Sequence, residues 1–205
     1  GKERVLLSIW FENARHGLAA GQFGLLLETD DGGKTWRERR LVEAVEQAEK
    51  HLMQIFAGTN GLVFIAAESG SIFRSEDAGR NWKAIQTDNK GSFWTGKTLA
   101  DGSLLIVGMR GHIYRSEDKG IAWRELASVT KESLTEIVQH GDGGVVIVGN
   151  SGVVLASKDG GRSFSIAVRP DRANLTAVVA GATGDALFSL TGVIAAGNTP
   201  SRGAK

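Results

Sequence analysis

Thr29-Asp30-Asp31-Gly32-Gly33-Lys34-Thr35-Trp36 decides the fold, because the chain repeats it. It returns as Ser75-Glu76-Asp77-Ala78-Gly79-Arg80-Asn81-Trp82 and as Ser116-Glu117-Asp118-Lys119-Gly120-Ile121-Ala122-Trp123. A fourth copy reads Ser157-Lys158-Asp159-Gly160-Gly161-Arg162-Ser163-Phe164. The aspartates at 31, 77, 118 and 159 stand 46, 41 and 41 residues apart. A glycine lies seven residues before each: Gly24, Gly70, Gly111 and Gly152. Gly192 follows forty residues after Gly152 and marks a fifth unit, whose box has decayed to Gly197-Asn198-Thr199-Pro200-Ser201. A fixed period near 41 residues means a propeller, a solenoid or an array in which each unit buries the next.

The interior of each unit is strand-like. Before the glycine lie Gly61-Leu62-Val63-Phe64-Ile65-Ala66, Gly102-Ser103-Leu104-Leu105-Ile106-Val107 and Gly144-Val145-Val146-Ile147-Val148. After it lie Leu25-Leu26-Leu27, Ser71-Ile72-Phe73, His112-Ile113-Tyr114 and Val153-Val154-Leu155. These runs are rich in β-branched and aromatic residues and apolar at consecutive positions, so both of their faces are buried. A first strand precedes them, as at Leu6 to Phe11 or Leu134 to Val138, and a fourth opens at the box aromatic, as in Trp36-Arg37-Glu38-Arg39. Four short antiparallel strands in about 40 residues make a β-propeller blade. The fold class is therefore all-β. One domain over residues 1–205 is expected, with units at about 5–40, 52–86, 92–127, 133–169 and 174–205.

Composition removes several function classes. The 205 residues carry 24 Lys+Arg against 23 Asp+Glu, a formal charge of +1, which excludes a strongly basic nucleic-acid surface. There is no cysteine, so disulfides, thiolate metal sites and cysteine nucleophiles are excluded. Glycine is abundant at 28 while proline is 2, which suits tight turns between short strands better than a disordered linker. The longest apolar run, Leu62 to Ala67, is too short for a membrane-spanning helix. Gly1-Lys2-Glu3-Arg4 does not read as a signal peptide.

The box has a turn logic. Its Asp and Ser/Thr side chains can satisfy backbone groups that the turn takes out of the ladder. Its glycine permits a backbone conformation that a side chain would block, and its aromatic can plug the gap between blades. The structural set is Asp31, Gly33 and Trp36; Asp77, Gly79 and Trp82; Asp118, Gly120 and Trp123; Asp159, Gly161 and Phe164. A catalytic residue occurs once in a ring, whereas this Asp occurs four times in one register. The carboxylates are too few for an EF-hand calcium loop.

Ser/Thr-x-Asp-x-Gly-x-Thr-Trp is the Asp-box, or BNR repeat. The unit from Gly17 to Trp36 resembles one blade of the photosystem II stability/assembly factor family. The resemblance covers nearly the whole chain. It implies a propeller, commonly seven-bladed, exported from the cytoplasm and acting as a non-enzymatic assembly factor on a protein partner such as a membrane-protein complex. Relatives outside photosynthetic organisms share the repeat, so the photosystem does not transfer with it. Five units are visible here where the family shows about seven, the third box carries Ile121-Ala122, and the fifth unit ends before its fourth strand. Seven units would need about 290 residues at this period. The expectation is a five-bladed or partial propeller, with an open array as the other arrangement.

Asp-boxes also occur in sialidases and other glycosidases. The Arg-Ile-Pro segment usual in sialidases is absent, and the single tyrosine, Tyr114, aligns with Leu27, Phe73 and Leu155, which marks a core slot. Glu28, Glu68 and Asp101 leave a two-carboxylate glycosidase open, and a carbohydrate-active propeller, glycan-binding or hydrolytic, stands as the second reading. His16, His51, His112 and His140 share no metal-ligand spacing, and His16 and His140 read as solvated turn histidines. No cofactor and no metal are expected.

The first reading is a protein-binding scaffold in an exported compartment, periplasmic, lumenal or extracellular. In a propeller the box turns lie on one face, and the turns between second and third strands lie on the other with the inter-blade links. There the units differ most, and loops on a rigid frame carry function. The expected partner-binding residues are Phe23, Glu68, Met109, Arg110 and Asn150. Leu41, Val45, Ala48 and Leu52 show helical spacing, and a short helix over the first link is expected. Arg37-Glu38-Arg39-Arg40 reads as a solvated strand edge, and the shared slot of Arg74 and Arg115 reads as inter-blade pairing. Oligomeric state is left open.

Overall fold

Val63-Phe64-Ile65-Ala66-Ala67 is apolar at every position, and such a strand is stable only between two covering layers. The computed structural model describes residues 3–41, 49–181 and 184–194 and gives this strand both layers. The first sheet holds β1 (Leu6–Phe11), β2 (Gly17–Gly21), β3 (Leu26–Thr29) and β4 (Arg37–Arg39). The second holds β5 (Leu52–Ala57), β6 (Val63–Ala67), β7 (Ser71–Ser75) and β8 (Lys83–Gln86). The third holds β9 (Phe93–Thr98), β10 (Leu104–Gly108), β11 (Ile113–Ser116) and β12 (Arg124–Glu125). The fourth holds β13 (Leu134–Gln139), β14 (Val145–Gly149), β15 (Val153–Ser157) and β16 (Ser165–Val168). The fifth holds β17 (Leu175–Val179), β18 (Ala186–Ser189) and β19 (Gly192–Ile194), three strands among the described residues.

Each sheet is an antiparallel meander in chain order, and the five are the blades of a five-bladed β-propeller. The inner strands β1, β5, β9, β13 and β17 pack on one another in that order. Among the described residues no comparable packing joins β17 back to β1.

Strand alternation builds the cores between blades, because successive side chains point to opposite sides of a sheet. Val63, Ile65 and Phe73 face backward and pack with Leu18, Ala20 and Leu26 of the first blade. Phe64, Ala66 and Ile72 face forward and pack with Leu104, Ile106 and Tyr114 of the third. Leu105, Val107 and Ile113 continue the pattern onto Ile137, Ile147 and Leu155, and Val148 and Val154 onto Leu175, Val178 and Leu187. A continuous apolar run is thus two alternating faces, each closed by a different neighbour.

The helix expected over Leu41–Leu52 falls largely on residues 42–48, which lie outside the described ones. At its far end the expectation is corrected: Leu52 opens β5 and is fully buried in the core between the first two blades. The apolar residue that completed the helical spacing belongs to a strand.

Candidate functional site

The box ends of the blades are built alike. Ser75 Oγ donates to Asp77 Oδ1 at 2.8 Å and accepts from the Gly79 N–H at 2.8 Å. Asp77 accepts from Asn81 N at 2.8 Å and from Asn81 Nδ2 at 2.7 Å. Thr29, Asp31, Gly33 and Thr35 repeat these bonds, as do Ser157, Asp159, Gly161 and Ser163. In the third box Ala122 has no hydroxyl, and both Asp118 oxygens accept its N–H. The Thr35 hydroxyl and then its N–H hold the Asp31 carboxyl at a pKa of about 2, and the Ser163 and Ser157 hydroxyls lower that of Asp159. Each aspartate serves its own turn, one per sheet. The box glycine presses on the preceding blade: a Cβ at Gly120 would lie 2.3 Å from Phe64 Cε1, and one at Gly79 2.2 Å from Leu18 Cδ1.

Arg74 Nε donates to Lys119 O at 2.8 Å and Arg115 Nη1 to Gly160 O at 2.8 Å. Each buried guanidinium therefore ties its blade to the next blade's box.

The first blade carries Glu28 in that slot, and the surroundings correct two expectations. His16 is buried, not solvated, because Nε2 lies 3.0 Å from Glu28 Oε1 and Nδ1 3.0 Å from Glu12 Oε2. Arg37 and Arg39 do not simply line a solvated edge, since both fold inward onto the buried Glu28 carboxylate. Burial pushes the Glu28 pKa up, but the bonds from His16, Arg37 and Arg39 outweigh it and hold the carboxyl below its ordinary value. Donor atoms of His16, Glu28 and Asp30 lie within 4.8 Å of one another, a grouping of the kind that holds metals. Here the Arg37 guanidinium reaches both Glu28 and Asp30 at 2.7 Å and supplies the positive charge itself. His140, also expected in solvent, lies largely buried with Nε2 3.4 Å from Asp185 Oδ1.

The carboxylates weighed for glycosidase chemistry sit in three different blades with separate partners. Glu28 is held as described, Glu68 accepts the His51 N–H at 2.8 Å, and Asp101 pairs with Arg115 at 3.1 Å. Tyr114 is fully covered and donates to Asp88 at 2.6 Å. Burial and that bond push its hydroxyl far above the ordinary tyrosine range, the opposite of what a nucleophile needs.

The opposite ends of the blades differ from one another. Leu25 N donates to Gln22 O at 3.1 Å, Ser71 N to Glu68 O at 3.1 Å and His112 N to Met109 O at 3.3 Å, closing four-residue turns. Their central pairs, Phe23-Gly24, Ser69-Gly70 and Arg110-Gly111, and the matching Ser151-Gly152, all have positive φ, the type I′ arrangement that joins twisted strands. Glu68, Met109 and Asn150 are thus turn corners, while Phe23 and Arg110 ride on the tips, in the slot that Ser69 and Ser151 fill in their own blades. The inter-blade links lie at the same ends: Gly24 N donates to Lys50 O at 2.9 Å, Gly70 N to Gly91 O at 2.8 Å and Arg169 N to Gly152 O at 2.9 Å. A Cβ at Gly111 would stand 2.1 Å from Thr130 O, so only glycine permits that approach.

Of the five expected partner-binding residues, the structure joins two through a third. The Phe23 ring meets the His51 ring edge-on at 4.7 Å, and Glu68 holds the His51 backbone. Met109 and Arg110 sit together on the third blade, and Asn150 stands on the fourth. Sequence reasoning missed His51, Glu132 and Asn174 as neighbours of these turns; Ser151 donates to Glu132 at 3.1 Å, and Asn174 accepts the Ser151 N–H at 2.9 Å. Their position just ahead of a first strand was the available signal.

Residues 1–146 match the family described as photosynthesis system II assembly factor YCF48. Over 84 residues, 41% of this chain, the sequence is 33% identical to the photosystem II assembly lipoprotein Ycf48 of Synechococcus sp. (strain CC9902), a match covering 25% of that protein. The solved structure of YCF48 bound to D1 peptide is similar with a TM-score of 0.71 at 24% identity, covering 91% of this chain and 60% of that one. YCF48 from Cyanidioschyzon merolae gives 0.70 at 25% identity, covering 93% and 66%. The chain therefore spans less than two thirds of the length of these relatives. With four boxes in one register, blades of the same build and a family match over most of its length, the chain belongs to the YCF48 photosystem II assembly factor family.

Proposed function

We propose that this chain is a non-enzymatic assembly scaffold that holds a protein segment against the turn-and-link face of its blades. The observation that carries this reading is the asymmetry between the two ends of the blades. The box ends repeat the same bonds, whereas the side chains at the turn tips vary, Phe23, Ser69, Arg110 and Ser151 standing on one shared backbone turn. Aromatic, Met and Arg side chains are also what protein interfaces favour. The similar YCF48 structure is bound to a D1 peptide, which suggests the partner class, a peptide segment of a protein. The Synechococcus relative is named a lipoprotein, which supports an exported compartment.

The test is a fluorescence-anisotropy titration of labelled D1 peptide. Wild type is expected to bind, and Met109→Glu with Arg110→Glu to weaken binding at least about tenfold while the melting temperature holds. Equal affinity in the double variant removes this face as the site. No binding by wild type removes the D1-like partner.

A further inference from the structure

The fourth strand of a blade lies on the rim of a propeller, paired on one side and open on the other, whatever the number of blades. Such an edge presents unpaired N–H and C=O groups, and native sheets block it with charge or brevity. β4 carries Arg37, Glu38 and Arg39, and β12 is two residues long and carries Arg124 and Glu125. β8 opens on Lys83, and Lys50 Nζ reaches Gln86 Oε1 at its far end at 3.2 Å. β16 reads Ser165-Ile166-Ala167-Val168 and has neither device. The slot paired with Leu27, Phe73 and Tyr114 holds Glu38, Ala84 and Glu125, and the one paired with Leu155 holds Ile166. Ile166 is 43% exposed and Val168 41%, while Arg169, which follows them, is buried against Asp171.

Pairing shows which backbone groups of β16 are open. Arg169 N donates to Gly152 O at 2.9 Å, in the register that sets Val168 against Val153 and Ala167 against Val154. Bonded and non-bonded pairs alternate along an antiparallel ladder, so Ala167 bonds to Val154, and the N–H and C=O groups of Ile166 and Val168 point away from the blade.

We propose that β16 pairs with β16 of a second copy of this chain, antiparallel across a two-fold axis at Ala167. What points to a copy as the occupant is that this edge complements itself. Ile166 falls opposite Val168 of the second copy, about four backbone hydrogen bonds close, and no like charges meet. The same operation on β4, centred on Glu38, would set like charge directly against like charge. The contact is isologous, so it closes at the dimer.

The test begins with light scattering of the 205-residue chain from roughly 1 to 200 µM. Wild type is expected to rise from 21.8 kDa toward twice that mass and stop there. Ile166→Pro removes one outward N–H where an edge strand tolerates proline, and it should stay monomeric. Ile166→Lys, which puts charge on the edge, serves if circular dichroism shows that the proline variant does not fold. The chain has no cysteine, so Ala167→Cys gives a second readout. Non-bonded partners stand about 4.5 Å apart between Cα atoms, within disulfide reach. Oxidation should therefore link two copies of Ala167→Cys at least about tenfold faster than two of Lys83→Cys, on the exposed start of β8. A monomeric wild type, an edge variant that associates like wild type, growth past the dimer, or equal linking of the two cysteine variants overturns the proposal. A monomer whose binding of labelled D1 peptide is lost in Ile166→Pro would give this edge to a peptide and overturn it as well.

Discussion

The junction between the second and third blades and the outer face of the first blade are made of the same repeat and differ in one respect. At the junction, Phe64 stacks on Phe56 at 5.2 Å, meets Trp123 edge-on at 6.3 Å and lies beneath Gly120. On the outer face, Trp36 meets Phe11 of its own blade edge-on at 6.0 Å, and Ile9 looks outward. The box bonds are alike in both places. Turn chemistry is therefore local to a blade, whereas burial is a property of pairs of blades.

Three substitution experiments sharpen that contrast. The largest effect is expected from Phe64→Ala, which empties a fully buried aromatic site and should cost about 3–5 kcal/mol. Ile9→Ala, at an exposed position, should stay within about 0.5 kcal/mol. Denaturant titration of both variants measures the difference, and equal losses would mean that the first blade's outer face is buried after all.

Gly120→Ala should come next. Its Cβ would collide with Phe64 at a φ of +78°, so a loss on the order of 2–4 kcal/mol is expected. Gly33→Ala carries the same backbone strain at φ +88° without a neighbouring blade, and about 1–2 kcal/mol is expected. Thermal melts that place the two variants together would assign the whole cost to backbone strain and none to the junction.

The smallest effect is acid titration of a box. The Asp31 pKa is lowered from 3.8 to about 2 by bonds it makes only when folded. Its contribution is therefore complete above about pH 4 and is lost as pH falls through about 2. Wild type should lose melting temperature steadily over that interval, and Asp31→Asn should lose less of it. Parallel slopes in the two proteins would show that the carboxylate does not support the turn.

Much of the architecture was legible in the residues. Leu6 to Phe11 is the strand its apolar pattern predicts, and the boxes mark the corners where third strands turn. The helix reading at Leu52 failed because three- and four-residue spacing of apolar residues cannot tell a helix from the start of a buried strand. His16 was misread for a related reason. A histidine beside a turn has no local mark of burial, and its partners Glu12 and Glu28 come together only when β1, β2 and β3 pair. At the candidate face, Phe23 and Arg110 could be placed at turn tips because each precedes the repeated glycine. The meeting of Phe23 with His51 depends on the link between two blades and has no sequence signature.

Repetition in the chain determined the blade, the box and the order of strands, since each follows from local alternation and turn chemistry that any copy carries by itself. Tertiary structure alone decided which alternate residues are covered and how Glu28 gathers its cations. Those outcomes depend on which surfaces meet across dozens of residues, and a period can count the units without showing whether the last one returns to the first.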